Sequence, residues 1–313
     1  MERFESRVAH GGSGADARAD ARALRSGDHE ASFRIAAQCI SVATAVPERL
    51  VEVYDGLAEG WLGRAPDGAA VGADARAGAV PGPLWDALWE LVLDPDAGRD
   101  PADITVRTAA LTGLLPPEFH RRVAAMALRY PGVAEASAAG VPPRFTLEAL
   151  AACPAGSLGG QLHSLVVDDG FDLEVLDRDA LDLADLPRPL DYLNIRILQC
   201  HDVWHLVAGY ETTGLHEVAI SAFQMAQFGH QYSSMFLGMV LTKVAFTEPF
   251  EGMGFLLDTV LSAYTHGRQT PPLLGVEWEA IWDRPVADIR SAQGVEPYDS
   301  PYPAGLLEQL RSA

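Results

Sequence analysis

From about residue 31 onward, apolar residues recur at spacings of three and four in runs punctuated by proline and glycine. The runs ASFRIAAQCISVATAV and PERLVEVYDGLAEGWL have the period of amphipathic helices. The Gly-, Pro- and Ala-rich break GRAPDGAAVGADARAGAVPGP reads as a linker. Beyond it, LWDALWELVLD, PADITVRTAALTGLL and PEFHRRVAAMALRY mostly open at proline and close at glycine, proline or a turn cluster, as helices do. In CPAGSLGGQL a Pro-Ala-Gly-Ser turn places Ser157 near the N-cap of a further helix. Two more helices follow, DYLNIRILQCHDVWHLVAGY and, after the turn GYETTG, a long run from Val218 to Phe246. No alternating β-branched runs joined by Asn-Gly or Asp-Gly turns are found, so the pattern predicts an all-α protein.

Residues 1–30 have no apolar core segment and read as a flexible tail. Residues 31–80 read as a helical extension with its linker, and 81–313 as one helical domain. A chain of 313 residues can bury a sizeable core without staples. Its formal net charge of -20 repels phosphate backbones, which excludes nucleic acid as a partner. Cys39, Cys153 and Cys200 are odd in number and far apart, forming neither a disulfide framework nor a CxxC clip, and a reducing, cytoplasmic compartment is expected. The oiliest stretch is broken by Gln224, Gln227, His230, Gln231 and Lys243, which makes it a buried or lipid-groove helix rather than a membrane span. The Gly-rich HGGSG precedes no strand and no Lys-Ser/Thr, so no phosphate loop is expected.

The candidate chemistry sits in QCHDVWHL. On a helix His205 lies about 40° round from His201, and Asp202 about 100°. Two histidines at i and i+4 can bind one divalent ion, and a carboxylate from the next helix commonly completes the set. Glu217 follows twelve residues after His205, and a short antiparallel connection would bring it alongside. Imidazole and carboxylate donors suit zinc, iron or manganese. A lone histidine on an apolar helix is ordinarily a hydrogen-bonded core residue, but burying four such groups unpaired is costly, and a cation neutralises them together. The His-Asp phosphohydrolases need further ligands absent from this spacing, and helical di-iron proteins repeat a Glu-x-x-His motif that this sequence lacks.

The string H-D-x-x-H, eleven residues, then E resembles the signature of the coenzyme Q biosynthesis protein 4 family. It is matched at His201, Asp202, His205 and Glu217. CPAGSLGGQL resembles that family's Pro-x-Gly-Ser/Thr-Leu-Gly turn, Arg196 its arginine before the His-Asp pair, and HGRQTPPLLGVEWEAIWDRPVADIR its C-terminal Gly-Arg, Trp-Glu and Arg positions. The resemblance covers about residues 85 to 295 and departs from the family at Leu162 and His163, where an aromatic is frequent. It implies an all-helical protein with a divalent ion, zinc above others, held by His201, Asp202, His205 and Glu217 between two consecutive helices. It also implies an adjacent hydrophobic channel for an isoprenoid tail, here lined by Phe223, Met225, Phe228, Met235, Phe236, Leu237 and Met239. Arg196 has two readings, contact with a substrate carboxylate or an ion pair with a neighbouring acid, since five residues before His201 it points away from the ligands.

The implied activity is oxidative decarboxylation and hydroxylation at ring carbon 1 of a prenylated hydroxybenzoate-type intermediate. The rival readings are a non-catalytic lipid-binding scaffold and a tailoring enzyme acting on an aromatic acid in secondary metabolism. A homodimer is implied, attached peripherally to the inner membrane face among other ubiquinone-pathway enzymes.

Overall fold

The computed structural model describes residues 1–312 except 69–70, 73, 98–100, 141, 169, 171–172, 175–177, 180–182 and 248–249. The first group of helices is α1 (Glu2–His10), α2 (Gly14–Arg25), α3 (Glu30–Thr44) and α4 (Leu50–Leu62). After the expected linker come α5 (Gly82–Leu93), α6 (Pro101–Gly113), α7 (Pro117–Ala127), α8 (Val133–Ala138), α9 (Leu147–Ala151) and α10 (Leu158–Val167). The chain closes with α11 (Leu190–Ala208), α12 (Gly214–Phe228), α13 (Gln231–Thr247), α14 (Phe250–Gln269), α15 (Val286–Gln293) and α16 (Leu306–Ser312). The protein is all-α, and the only β-type pairing among the described residues is an isolated bridge between Ser157 and Pro285. No described helix is long and apolar enough to cross a membrane.

The first 25 residues do not form the expected flexible tail. α1 and α2 pack onto α3 and α4, burying Phe4, Val8, Ala17, Ala21 and Leu24. A capping box starts α2, with Ser13 Oγ accepting from the Asp16 N–H and Asp16 Oδ2 from the Ser13 N–H. The packing rests on small residues, which hydropathy counts weakly: a Cβ at Gly56 would stand 2.2 Å from the Gly14 carbonyl oxygen, and one at Gly60 2.4 Å from that of Arg18.

The expected helix from Val218 to Phe246 is two helices. It breaks at Gly229, whose φ of 66° is left-handed and where a Cβ would lie 2.6 Å from the Tyr130 ring. α12 packs against α14 and α13, and α13 lies across α3. A helix that is apolar all round is covered on every side. The expected channel lining accordingly lies in the core: Phe223, Met225, Phe228, Met235, Leu237 and Met239 are each at most 1% exposed. Phe236 is half-buried.

Replacing Gly56 with alanine separates propensity from packing. Helix propensity alone favours alanine by about 1 kcal/mol, whereas forcing a methyl group into this crossing costs about 1–3 kcal/mol. Urea denaturation of Gly56→Ala is expected to show net destabilisation. A neutral or stabilised variant would mean that α2 is not seated on α4 as described.

Candidate metal centre

The C-terminal end of α11 carries two of the candidate ligands and is tied down at every carbonyl of its last turn. The His205 carbonyl accepts from the N–H groups of Gly209 and Tyr210, at 3.1 and 3.0 Å. Arg290 donates to the carbonyls of Leu206 and Val207 at 2.7 and 2.8 Å, and the Tyr298 N–H donates to that of Ala208 at 2.8 Å. Gly209, at a φ of 80°, then reverses the chain into α12, whose first turn presents Glu217.

His201, His205 and Glu217 converge. The two Nε2 atoms are 3.1 Å apart, His201 Nε2 is 3.2 Å from Glu217 Oε2, and His205 Nε2 is 3.3 Å from Glu217 Oε1. Nitrogen and oxygen donors bound to one tetrahedral zinc stand roughly 3.3 Å from each other, so these spacings fit a shared cation. The outer ring atoms are held as well. His205 Nδ1 lies 3.2 Å from the Tyr210 carbonyl, which can only accept, so Nδ1 carries a proton and Nε2 is the ring nitrogen turned to the cluster. His201 Nδ1 lies 2.8 Å from the Gln224 amide. The His205 side chain is 1% exposed and that of Glu217 41%, so the cluster opens on the glutamate side.

Burial works to raise the Glu217 carboxyl, but hydrogen bonds and positive charge from His201 and His205 prevail and hold it well below the usual range. For His201, burial lowers the imidazole, and the Glu217 hydrogen bond and charge, with Asp202, reverse this and raise it. Without a metal, a proton shared among these groups occupies the place a cation would take.

Asp202 lies outside the three-residue cluster. Its carboxyl is buried at 7% exposure and pushed upward by that burial, with His201 and His205 offsetting part of the rise. Arg196 is in an ion pair. Its guanidinium donates to Glu279 at 2.7 and 3.1 Å, to Gln199 Oε1 at 2.8 Å and to the Val276 carbonyl at 2.9 Å. The substrate-carboxylate reading of Arg196 therefore gives way to its alternative, because Glu279, Gln199 and the Val276 carbonyl already engage both of its terminal nitrogens.

The remaining motif residues are buttresses. Ser157 caps α10 by accepting from the Gly160 N–H at 3.2 Å, while Leu158 and Gly159 donate to the carbonyls of Arg284 and Trp282 at 2.9 and 2.8 Å. A Cβ at Gly267 would lie 2.7 Å from the Phe223 carbonyl oxygen, so the α12–α14 crossing requires glycine there. His230 is a core histidine bonded to Ser233 at 2.9 Å, pushed down to about 3 by burial and by the His201 charge. Cys200 is an inert buried thiol pushed up to about 12 by burial.

Sequence reasoning passed over two partners of the cluster, the Tyr210 carbonyl and Gln224. Gln224 was legible in principle: seven residues after Glu217, it shares that residue's helical face.

Fold and site together define a helical protein with a two-histidine, one-carboxylate cluster between consecutive helices. The sequence profile of coenzyme Q (ubiquinone) biosynthesis protein Coq4 matches residues 142–299, just over half of the chain. The chain belongs to the Coq4 family.

A relative from Drosophila ananassae, ubiquinone biosynthesis protein COQ4 homolog, mitochondrial, is 28% identical over 47% of this chain and 53% of its own length. The Sclerotinia sclerotiorum protein of that kind is 29% identical over 39% of this chain and 44% of its own. The chain thus spans about half the length, or less, of these curated relatives. A crystal structure of a Nostoc punctiforme protein assigned to ubiquinone biosynthesis superposes with a TM-score of 0.51, covering 68% of this chain and 97% of that one at 23% identity, which supports the fold.

Two outcomes are expected. The lowered Glu217 and raised His201 values are one interaction seen from both partners. Its stability is fully present between the ordinary values of 4.5 and 6.5, is lost as pH falls through the lowered value, and is lost again as pH rises through the raised one. In chelator-treated protein the difference in Tm between wild type and Glu217→Gln should therefore peak at mildly acidic pH and shrink toward alkaline pH; a difference independent of pH contradicts the coupling. Arg196→Met should cost about 1–3 kcal/mol, as leaving buried acceptors such as Gln199 Oε1 and the Val276 carbonyl unpaired does, with metal affinity by calorimetry unchanged. Loss of metal at unchanged stability would contradict the ion-pair role.

Proposed function

We propose that this protein is a metal-dependent enzyme of ubiquinone-type biosynthesis. The assigned reaction is oxidative decarboxylation and hydroxylation at ring carbon 1 of a prenylated hydroxybenzoate-type intermediate. The observation carrying this reading is the convergence of His201, His205 and Glu217 on a partly open edge, with the two Nε2 atoms 3.1 Å apart and each within 3.3 Å of a Glu217 carboxylate oxygen. His201, His205 and Glu217 would hold the ion, and the two-nitrogen, one-oxygen donor set suits zinc, with iron and manganese compatible. Such an ion supplies Lewis acidity, stabilising charge on a carboxylate or phenolate oxygen.

Three protein ligands leave room for substrate, as in catalytic zinc sites. His205 and the tied end of α11 close the inner flank to water, so substrate would enter on the Glu217 side. The charge of buried Asp202 favours the cationic form of His201. Arg196 is given no substrate contact in this scheme. The isoprenoid tail is assigned to half-buried Phe236 and Val240 on α13, with the Phe236 ring stacked on Tyr232 at 6.2 Å. Phe223, Met225, Phe228, Met235 and Met239 are buried in the core and are given no contact with the tail in this scheme.

The same reading has the protein work as a homodimer, peripherally attached to the inner membrane face among other pathway enzymes. Attachment would occur through apolar insertion, since a net charge of -20 disfavours anionic headgroups.

Zinc-loaded protein should release carbon dioxide from a prenylated 4-hydroxybenzoate under air. His205→Ala, verified as folded by circular dichroism, should lose that release. Substrate recovered intact from metal-loaded wild type, with lipid still bound, would overturn catalysis in favour of a scaffold.

A further inference from the structure

The Gln224 side chain is 3% exposed on α12, with its amide 2.8 Å from His201 Nδ1. His201 Nε2 faces His205 Nε2 and Glu217, and the proton of a neutral imidazole can sit on only one of its two nitrogens. The amide is bifunctional. When its nitrogen faces the ring it donates to Nδ1, which leaves the proton on Nε2 pointing at Glu217. After half a turn about its last bond the oxygen takes the nitrogen's place and accepts from Nδ1–H, freeing the Nε2 lone pair. His205 needs no such device, because the Tyr210 carbonyl can only accept.

Resting on the metal reading above, we propose that Gln224 is a positioning residue that sets the tautomer of His201, its amide turning from nitrogen-inward on the neutral, metal-free ring to oxygen-inward when a cation is bound. The interaction is the outer partner that a metal-bound histidine requires, and loss of such partners typically weakens metal binding about ten- to a hundredfold. The burial of Gln224 gives the amide no competing solvent, so the ring is its principal partner among the described contacts.

Zinc titration of the full chain separates this role from simple packing. Gln224→Leu, which can neither donate nor accept, should bind zinc about ten- to a hundredfold more weakly. Gln224→Glu, which can only accept, should bind at least as tightly as wild type. Equal weakening in both variants, or none in either, overturns the proposal. In wild-type protein the side-chain amide NMR resonances of Gln224 should shift on zinc addition; resonances unmoved by bound zinc also overturn it, and this holds even if a variant does not fold. Wild type that binds no zinc at all instead overturns the metal reading on which the proposal stands.

Discussion

The structure turns on two imidazole nitrogens 3.1 Å apart, each within 3.3 Å of one oxygen of the Glu217 carboxylate, at the junction of two helices. Two imidazole lone pairs and a carboxylate at that spacing repel unless a proton or a cation lies among them. Burial sharpens the conflict, since charges and dipoles act more strongly away from water. The arrangement persists only because the surrounding protein leaves the side chains little freedom to separate. The tied carbonyls at the end of α11, the left-handed turn at Gly209 and the packed α12–α14 crossing all serve that end.

In this light the family's motif residues divide into donors and supports. His201, His205 and Glu217 meet at the cluster. Arg196 and Glu279, 83 residues apart, meet each other and fasten α11 to the C-terminal segment. Arg290 and Tyr298 close the end of α11 from that same segment, while Ser157 docks α10 onto the chain around Trp282 and Arg284. The C-terminal stretch, which contributes no donor of its own, thereby determines where the two histidines point.

The helices and the cluster were readable from the sequence because both depend on local spacing. The period of three and four marked α3 to α7, and the i, i+4 histidines with Glu217 after a short turn put three donors on facing surfaces. Features that depend on tertiary contact were not readable. α2 is held by glycine and alanine at a backbone crossing with α4, and such residues carry almost no hydropathy signal. Gly229 breaks an uninterrupted apolar run because the Tyr130 ring occupies the space where a side chain would go. The residues expected to line a channel are covered because neighbouring helices close over both faces of α12 and α13. Asp202 shares the motif's spacing, yet it lies outside the three-residue cluster, and the rotation of about 100° from His201 that the spacing gives does not by itself decide whether its carboxylate reaches the other donors.

X-ray absorption at the metal edge of the purified, zinc-loaded protein tests the central claim most directly. The account predicts a first shell of nitrogen and oxygen at roughly 2.0–2.2 Å, with the outer-shell scattering of two imidazoles and no sulfur. A sulfur shell, or a shell lacking imidazole scattering, would contradict the assignment of His201, His205 and Glu217 as the ligands.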